Sequence, residues 1–259
     1  QNSFFPDSTR PQFLVHYWLP QGTHIRRTES DVRKIEAHVR TLEGVTDVSS
    51  FVGQGAVRFL LTYSPEEAND AYGLLLVGVE DYRRIADLMP QVDDHIAANY
   101  PDAQGFCRRF VLGPGDAQKI QARFRGPDTK VLRALAAEAE ALMWAEPTAR
   151  DMVNDWRQRV PLVRPVVAET QARNAGITRS DIASAMASTY DGLRIGVYRE
   201  RDKLLPIVAR APEAERGQVD DLQKIQIWSP VARRAIPIRQ VVLDFETVSD
   251  RKSTRLNSS

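Results

Sequence analysis

Tyr72-Gly-Leu-Leu-Leu-Val-Gly-Val79 contains the densest apolar run of the chain. It is too short for an ordinary helix and too apolar for a half-solvated strand, so it reads as a strand buried on both faces. A strand buried on both sides needs neighbours, and the sequence supplies them in each direction. On the N-terminal side, Val45 to Val52 and Ala56 to Tyr63 read as two strands around Gly53-Gln54-Gly55, and Ser64 to Asp70 as a polar loop. Before them, Thr28 to Glu43 reads as a helix with Val32, Ile35, Val39 and Leu42 on one face. Thr28 with Asp31 forms a plausible capping pair and Gly44 a stop. Gln12 to Leu19 (QFLVHYWL), aromatic and β-branched and ended by Pro20, is a strand. On the C-terminal side, a helix runs from about Tyr82, with Ile85, Leu88, Met89, Val92 and Ile96 on one side, and ends before Pro101. Gln104 to Leu112 closes the unit as a strand. The order is β-α-β-β-β-α-β, a ferredoxin-like split β-α-β unit in which the extra strand is half of the Gly53 hairpin.

Gly113-Pro114-Gly115 punctuates the chain and marks a boundary. Beyond it come a strand at Lys119 to Phe124 and a helix from Thr129 to about Ala145 capped by Asp128. A strand at Asp155 to Val167 follows, made edge-like by Pro161 and Pro165. This is only half of a split β-α-β unit, and half a unit leaves a sheet face uncovered. A third segment opens with a short helix at Ala168 to Ala175. Thr178 and Asp181 then form a capping box, and Ile177 and Ile182 stand where a hydrophobic staple places them. That helix runs to about Tyr190. Strands are expected at Leu193 to Tyr198 and Leu204 to Ala209, a helical turn at Asp220 to Lys224, and a hairpin from Ile225 to Leu243 around Pro230 to Arg234. The fold class is α+β.

Apolar residues make up 42% of the 259 and charged residues 27%, enough to build a core. Thirty-five Lys and Arg against 34 Asp and Glu leave a net charge of +1, with no bulk attraction for nucleic acid or anionic lipid. No run approaches the roughly 20 apolar residues of a membrane-spanning helix. The single cysteine, Cys107, excludes an internal disulfide. The sequence begins at Gln1 with neither a basic nor an apolar leader region, so no signal peptide is expected. Residues 249–259 lack any period and read as a non-native tail.

Signals for catalysis are poor, and the chain does not read as an enzyme. His16, His24, His38 and His95 are far apart in sequence and show no metal-binding spacing. His38 falls on the polar side of its helix and reads as solvated. His16 lies between bulky strand residues, either lining a pocket or sitting in the core. Cys107 reads as an inert buried thiol. Gly53-Gln54-Gly55 has no following helix and reads as a turn rather than a phosphate cradle. No cofactor or metal motif is present. Arg157, Arg159 and Arg164 alternate with apolar residues, as on a solvated strand face, and Phe51 and Phe59 flanking Gly53 suit ordinary sheet core.

Several stretches together resemble the second large periplasmic loop of the resistance-nodulation-division (RND) efflux permeases. FFPDSTRPQFLVHYWLPQGT (Phe4 to Thr23) is similar to the segment that follows the seventh membrane helix of that family. The helix TESDVRKIE with the following LEGVTDVSSFVG resembles the family's first periplasmic unit, and IQARFRGPD (Ile120 to Asp128) the start of the next. ARNAGITRSDIASAM (Ala172 to Met186) is similar to its docking signature. The resemblance covers residues 4–248.

It implies a first C-terminal porter subdomain at residues 1–114, the first half of a second at 115–165, and a docking subdomain at 166–248. It also implies a periplasmic portion of a bacterial inner-membrane, proton-driven antiporter, working as a homotrimer with a periplasmic adaptor protein and an outer-membrane channel. No nucleic-acid partner is implied, and the membrane is reached only through segments absent here. Such a pump exports drugs or other amphiphilic small molecules. Position by position, the resemblance places Phe51 near a deep-pocket aromatic and Arg157 at an outer access pocket. Leu14 and His16 fall on a pocket-facing strand, and Phe59 to Asn69 take the place of the loop that separates the pockets, without the family's glycine-rich composition. Arg233 and Arg234, at a hairpin tip, would face the docking partners. The rival reading is a soluble small-ligand-sensing module built from tandem ferredoxin-like units.

Overall fold

Alternation along the first strand organises the N-terminal part of the molecule. The computed structural model describes residues 7–113, 120–146, 148–149, 152–212 and 219–250. They divide into two units, with the break between Val160 and Pro161. Unit 1 contains β1 (Gln12–Trp18), α1 (Ile25–Val39), β2 (Val45–Val52), β3 (Tyr72–Val79), α2 (Ile85–Asn99), β4 (Gln104–Arg109) and α3 (Thr129–Trp144). Its four strands form one antiparallel sheet in the order β2-β3-β1-β4, as expected of a split β-α-β unit.

Because successive side chains point to opposite faces, β1 sends Phe13, Val15 and Tyr17 to the helix side. There they join Leu75, Val77, Val32, Ile35, Val39, Leu88, Val92 and Ile96 in the main core. Each such aliphatic chain taken fully from water contributes about 1.5–3 kcal/mol. Tyr17 pairs in register with Gly73 on one side and Gly105 on the other. A Cβ at Gly73 would meet Val32 of α1, and one at Gly105 would meet Ile96 of α2, so the two glycines let both helices close onto the sheet. Between them the Tyr17 hydroxyl donates to Asp31 at 3.0 Å.

That bond corrects one expectation. Thr28 and Asp31 are not a cap. Thr28 is buried and donates to the Asp70 carbonyl at 2.6 Å, while His24 caps α1 by accepting from the Arg26 amide. Two long-range partners outbid a local one. A second correction concerns residues 56–63, which form no strand. β2 is an edge strand, and residues 56–63 fold over the sheet instead of extending its edge. Ala56 and Tyr63 are thereby buried against the face opposite the helices. A third concerns His38, which is half-buried and stacks on His95 rather than standing in solvent.

Residues 120–124 are not a strand, and Lys119 lies outside the described residues. Helix α3 forms as expected, with the Asp128 carboxylate accepting from the Lys130 and Val131 amides. It buries no residue, and Val131, Leu135, Leu142 and Trp144 stay exposed. The strand expected from Asp155 begins only at Val160, because an Asn154-led turn occupies the preceding residues.

Unit 2 is built on β5 (Val160–Val167) paired with β10 (Val242–Asp250). Helices α4 (Glu169–Asn174) and α5 (Arg179–Tyr190) follow, then the hairpins β6 (Leu193–Glu200) with β7 (Lys203–Ala209) and β8 (Gln226–Ser229) with β9 (Arg234–Pro237). The capping box is present in full, with Thr178 and Asp181 each bonding the other's amide. The Thr178 hydroxyl, donating to the Asp181 carboxylate at 2.7 Å, and then the Thr178 amide hold the Asp181 carboxyl below the usual range. Ile177 and Ile182 lie with Ile225, Ile227, Ile236 and Ile238 in this unit's core. The expected strand over Ile236 to Leu243 is broken by a 3₁₀ turn at Ile238–Gln240, which buries Ile238. No helix among the described residues is long and apolar enough to cross a membrane.

Candidate functional site

The second face of the unit 1 sheet carries most of the residues singled out from sequence. Here β1 presents Leu14, His16 and Trp18. In register, His16 stands beside Leu74 and Phe106, Phe51 beside Leu74, and Trp18 beside Tyr72. Phe51, Leu74, His16 and Phe106 therefore form one row across four strands. The rings touch: His16 stacks on Phe106 with centroids 5.0 Å apart, and Trp18 meets Tyr72 at 4.3 Å. The Tyr72 hydroxyl lies 2.9 Å from His16 Nδ1.

Two guanidinium groups bracket this aromatic row. Arg108 lies over Phe106, 4.7 Å from the ring centre, and Arg157 over Trp18 at 3.3 Å. Such contacts contribute roughly 0.5–2 kcal/mol each, more as water is excluded. Arg157 is not on a strand, as its spacing suggested. It occupies a turn with φ of 45°, its amide bonded to the Asn154 carbonyl at 3.1 Å. That left-handed backbone is unfavourable for a residue with a Cβ and turns the side chain back onto Trp18. Burial lowers the Arg157 pKa, opposed by the charges of Glu66, Tyr72 and Asp155.

Burial first, then Arg108 and Arg157, push His16 down to about 3. Burial likewise raises Tyr72. The pair is thus a neutral phenol hydrogen-bonded to a neutral imidazole at Nδ1, and the charge on this face is supplied by the guanidiniums. Its chemistry suits flat apolar groups and their polar or anionic substituents.

The loop 53–70 covers the row. The Asn69 amide donates to the Gly53 carbonyl at 2.7 Å and the Gly55 amide to the Glu66 carbonyl at 3.1 Å, closing the loop on itself. Phe59, on this loop, belongs to a neighbouring group, packing on Tyr63 at 5.1 Å and Phe110 at 5.8 Å with Arg10 over two of the rings. The structure therefore gathers Leu14, His16, Phe51 and Arg157 on one sheet face and sets Phe59 in its cover.

In unit 2, Arg233 lies at the exposed turn between β8 and β9, with φ of 52°, and the exposed Arg234 opens β9. Grooves of 670 and 360 Å³ in unit 2 run beside Lys224 and Arg239, and beside Ser229 and Gln240. Among the described residues no three or more His, Cys, Asp or Glu side chains converge as metal ligands. Sequence reasoning missed Trp18, Tyr72, Phe106 and Arg108. Period-two counting from Leu14 and His16 reaches Trp18, but the cross-strand register that adds the others is a long-range property.

A family model described as the AcrB/AcrD/AcrF family matches residues 1–259. The cobalt-zinc-cadmium resistance protein CzcA of Cupriavidus metallidurans is 24% identical over 242 residues, covering 88% of this chain and 22% of that protein. The cation efflux system protein CzcA of an Alcaligenes species is 28% identical over the same shares. The chain thus spans about a fifth of the length of these relatives. Two crystal forms of a heavy metal efflux pump superpose with TM-scores of 0.69 at 16% and 15% identity, over 96% of this chain and 26% of theirs. At that identity the likeness shows the fold.

Proposed function

The chain belongs to the AcrB/AcrD/AcrF family of RND efflux permeases, and from that premise we propose that it is a periplasmic portion of an inner-membrane exporter whose aromatic sheet face lines the substrate path. Family membership across the whole sequence favours this over a soluble sensing module. Residues 1–114 act as one porter subdomain, 115–165 as the first half of a second, and 166–248 as a docking subdomain. The work is binding and passage rather than bond-making. Proton coupling, the homotrimer, the adaptor and the outer-membrane channel belong to the whole transporter and are part of the same proposal.

The observation that carries the reading is Arg157 seated on Trp18 beside a protonation-resistant His16. A wall of rings and guanidiniums holds amphiphiles by stacking and charge. For such a molecule to reach the row, loop 53–70 must lift, since it covers the row in this structure. A second reading, export of divalent metal cations, is favoured by the relatives named for cobalt, zinc, cadmium and cation efflux. The two readings differ in charge preference, because guanidiniums repel metal cations.

In the full-length transporter, Arg157→Ala and Phe51→Ala are expected to change resistance to planar amphiphiles severalfold at unchanged protein level. Resistance to cobalt, zinc and cadmium salts should stay as it was. Altered metal resistance with amphiphile export untouched would reverse the assignment of substrate, and no change for any compound would remove this face from the path.

A further inference from the structure

On the helix side of unit 1 the fold brings together two histidines that are remote in sequence. His38, in the last turn of α1, and His95, one turn before the end of α2, lie face to face. Their centroids are 3.6 Å apart and their planes 7° from parallel. Both are half-buried. The Asn99 side-chain amide nitrogen is oriented by its bond to the His95 carbonyl at 2.8 Å. It stands 3.3 Å from His95 Nδ1, so that ring nitrogen is an acceptor. A proton placed there would set N–H against N–H.

Among the described residues one helical turn from either ring, no carboxylate compensates a second positive charge. One turn from His38 on α1 stand Lys34, Ile35, Thr41 and Leu42, and one turn from His95 on α2 stand Gln91, Val92, Ala98 and Asn99. None is a carboxylate, and Lys34 adds positive charge. Asp94, the neighbour of His95 in sequence, points about 100° around the helix from it. From the connection to β4, Tyr100 presents its ring to His95 at 6.3 Å, and the charge of Asp31 acts on Tyr100. Burial first and His38 second hold His95 below its ordinary value. One proton on the pair gives an imidazolium stacked on a neutral imidazole. A second must enter against that charge.

We propose that the His38–His95 stack is a proton-sensitive clasp between α1 and α2, closed with no proton or one and opened by the second. This lies outside the substrate path proposed above, on the opposite face of the sheet. Beneath the stack are Val39, Val92 and Ile96 of the main core, so opening loosens the helix layer of unit 1 as the medium acidifies.

The test is a titration of the 259-residue chain with ¹⁵N-labelled histidine between pH 7.5 and 4.5, joined to hydrogen exchange of α1 and α2. The pair is expected to take up its two protons in two separate steps. Replacing His38 by Ala, or by Gln if the alanine variant does not fold, should move the His95 step up toward about 6.5. Amide protection in α1 and α2, corrected for intrinsic exchange, should fall about tenfold from pH 6.5 to 5 in the wild type and hold in His95→Gln. A His95 step that ignores His38, or an equal loss of protection in His95→Gln, would overturn the clasp.

Discussion

His16 shows how far one residue's chemistry depends on where the chain puts it. An exposed histidine accepts a proton near pH 6.5, whereas this one is held down to about 3 by burial and two guanidiniums. The folded state therefore binds fewer protons than the unfolded chain between those values, so stability is fully present above about 6.5 and is lost as pH falls toward 3. The loss is on the order of 5 kcal/mol if complete. Thermal unfolding from pH 6.5 to 4.5 is expected to show a steeper decline in the wild type than in His16→Gln, which keeps an acceptor for Tyr72 but cannot titrate. Parallel declines would mean that His16 takes up its proton in the folded state.

At the scale of elements, the same apolar content has two fates. Strands β1, β3 and β4 find partners on the sheet, while the apolar face of α3 is at most half-buried, at Leu132, Ala136 and Met143. A helix of 16 residues with so little of its apolar face covered is marginal in water. Hydrogen exchange on this chain is expected to show weak protection across residues 120–146 and strong protection in β1, β3 and β4. Equal protection in the two regions would mean that α3 is covered by something else. The elements legible in the sequence were those whose period and ends agreed: β1, β3, α2 and α5 with its capping box. Residues 56–63 were misread because aromatic and β-branched content signals burial without saying whether backbone pairing or a folded-over loop provides it.

For the whole molecule, the exposed β8–β9 turn is where a partner is proposed to meet unit 2. Arg233 and Arg234 stand there in solvent beside Val231, which is 66% exposed. Charges at such a rim steer association more than they tighten it. Arg233→Glu with Arg234→Glu in the full-length transporter is expected to weaken adaptor association, more at low salt than at high salt, and to leave the trimer assembled. Association that is unchanged across ionic strengths would make this only a turn.

What the sequence by itself determined is local. A side-chain period of two or 3.6, a capping pair, or a glycine at a helix end is expressed within a few residues, and it specified most of the helices and strands, though not β10 or the strandless stretches at 56–63 and 120–124. The tertiary structure decided everything that depends on residues meeting from far apart. It chose Asp70 and Tyr17 over the helix cap as partners for Thr28 and Asp31. It laid loop 53–70 over the sheet, set Arg157 on Trp18, and stacked His38 on His95. The physical reason is that a hydroxyl, a ring or a guanidinium has several partners of similar strength available to it. Only the packing of the sheet between its helices and its covering loop determines which of them lies within reach.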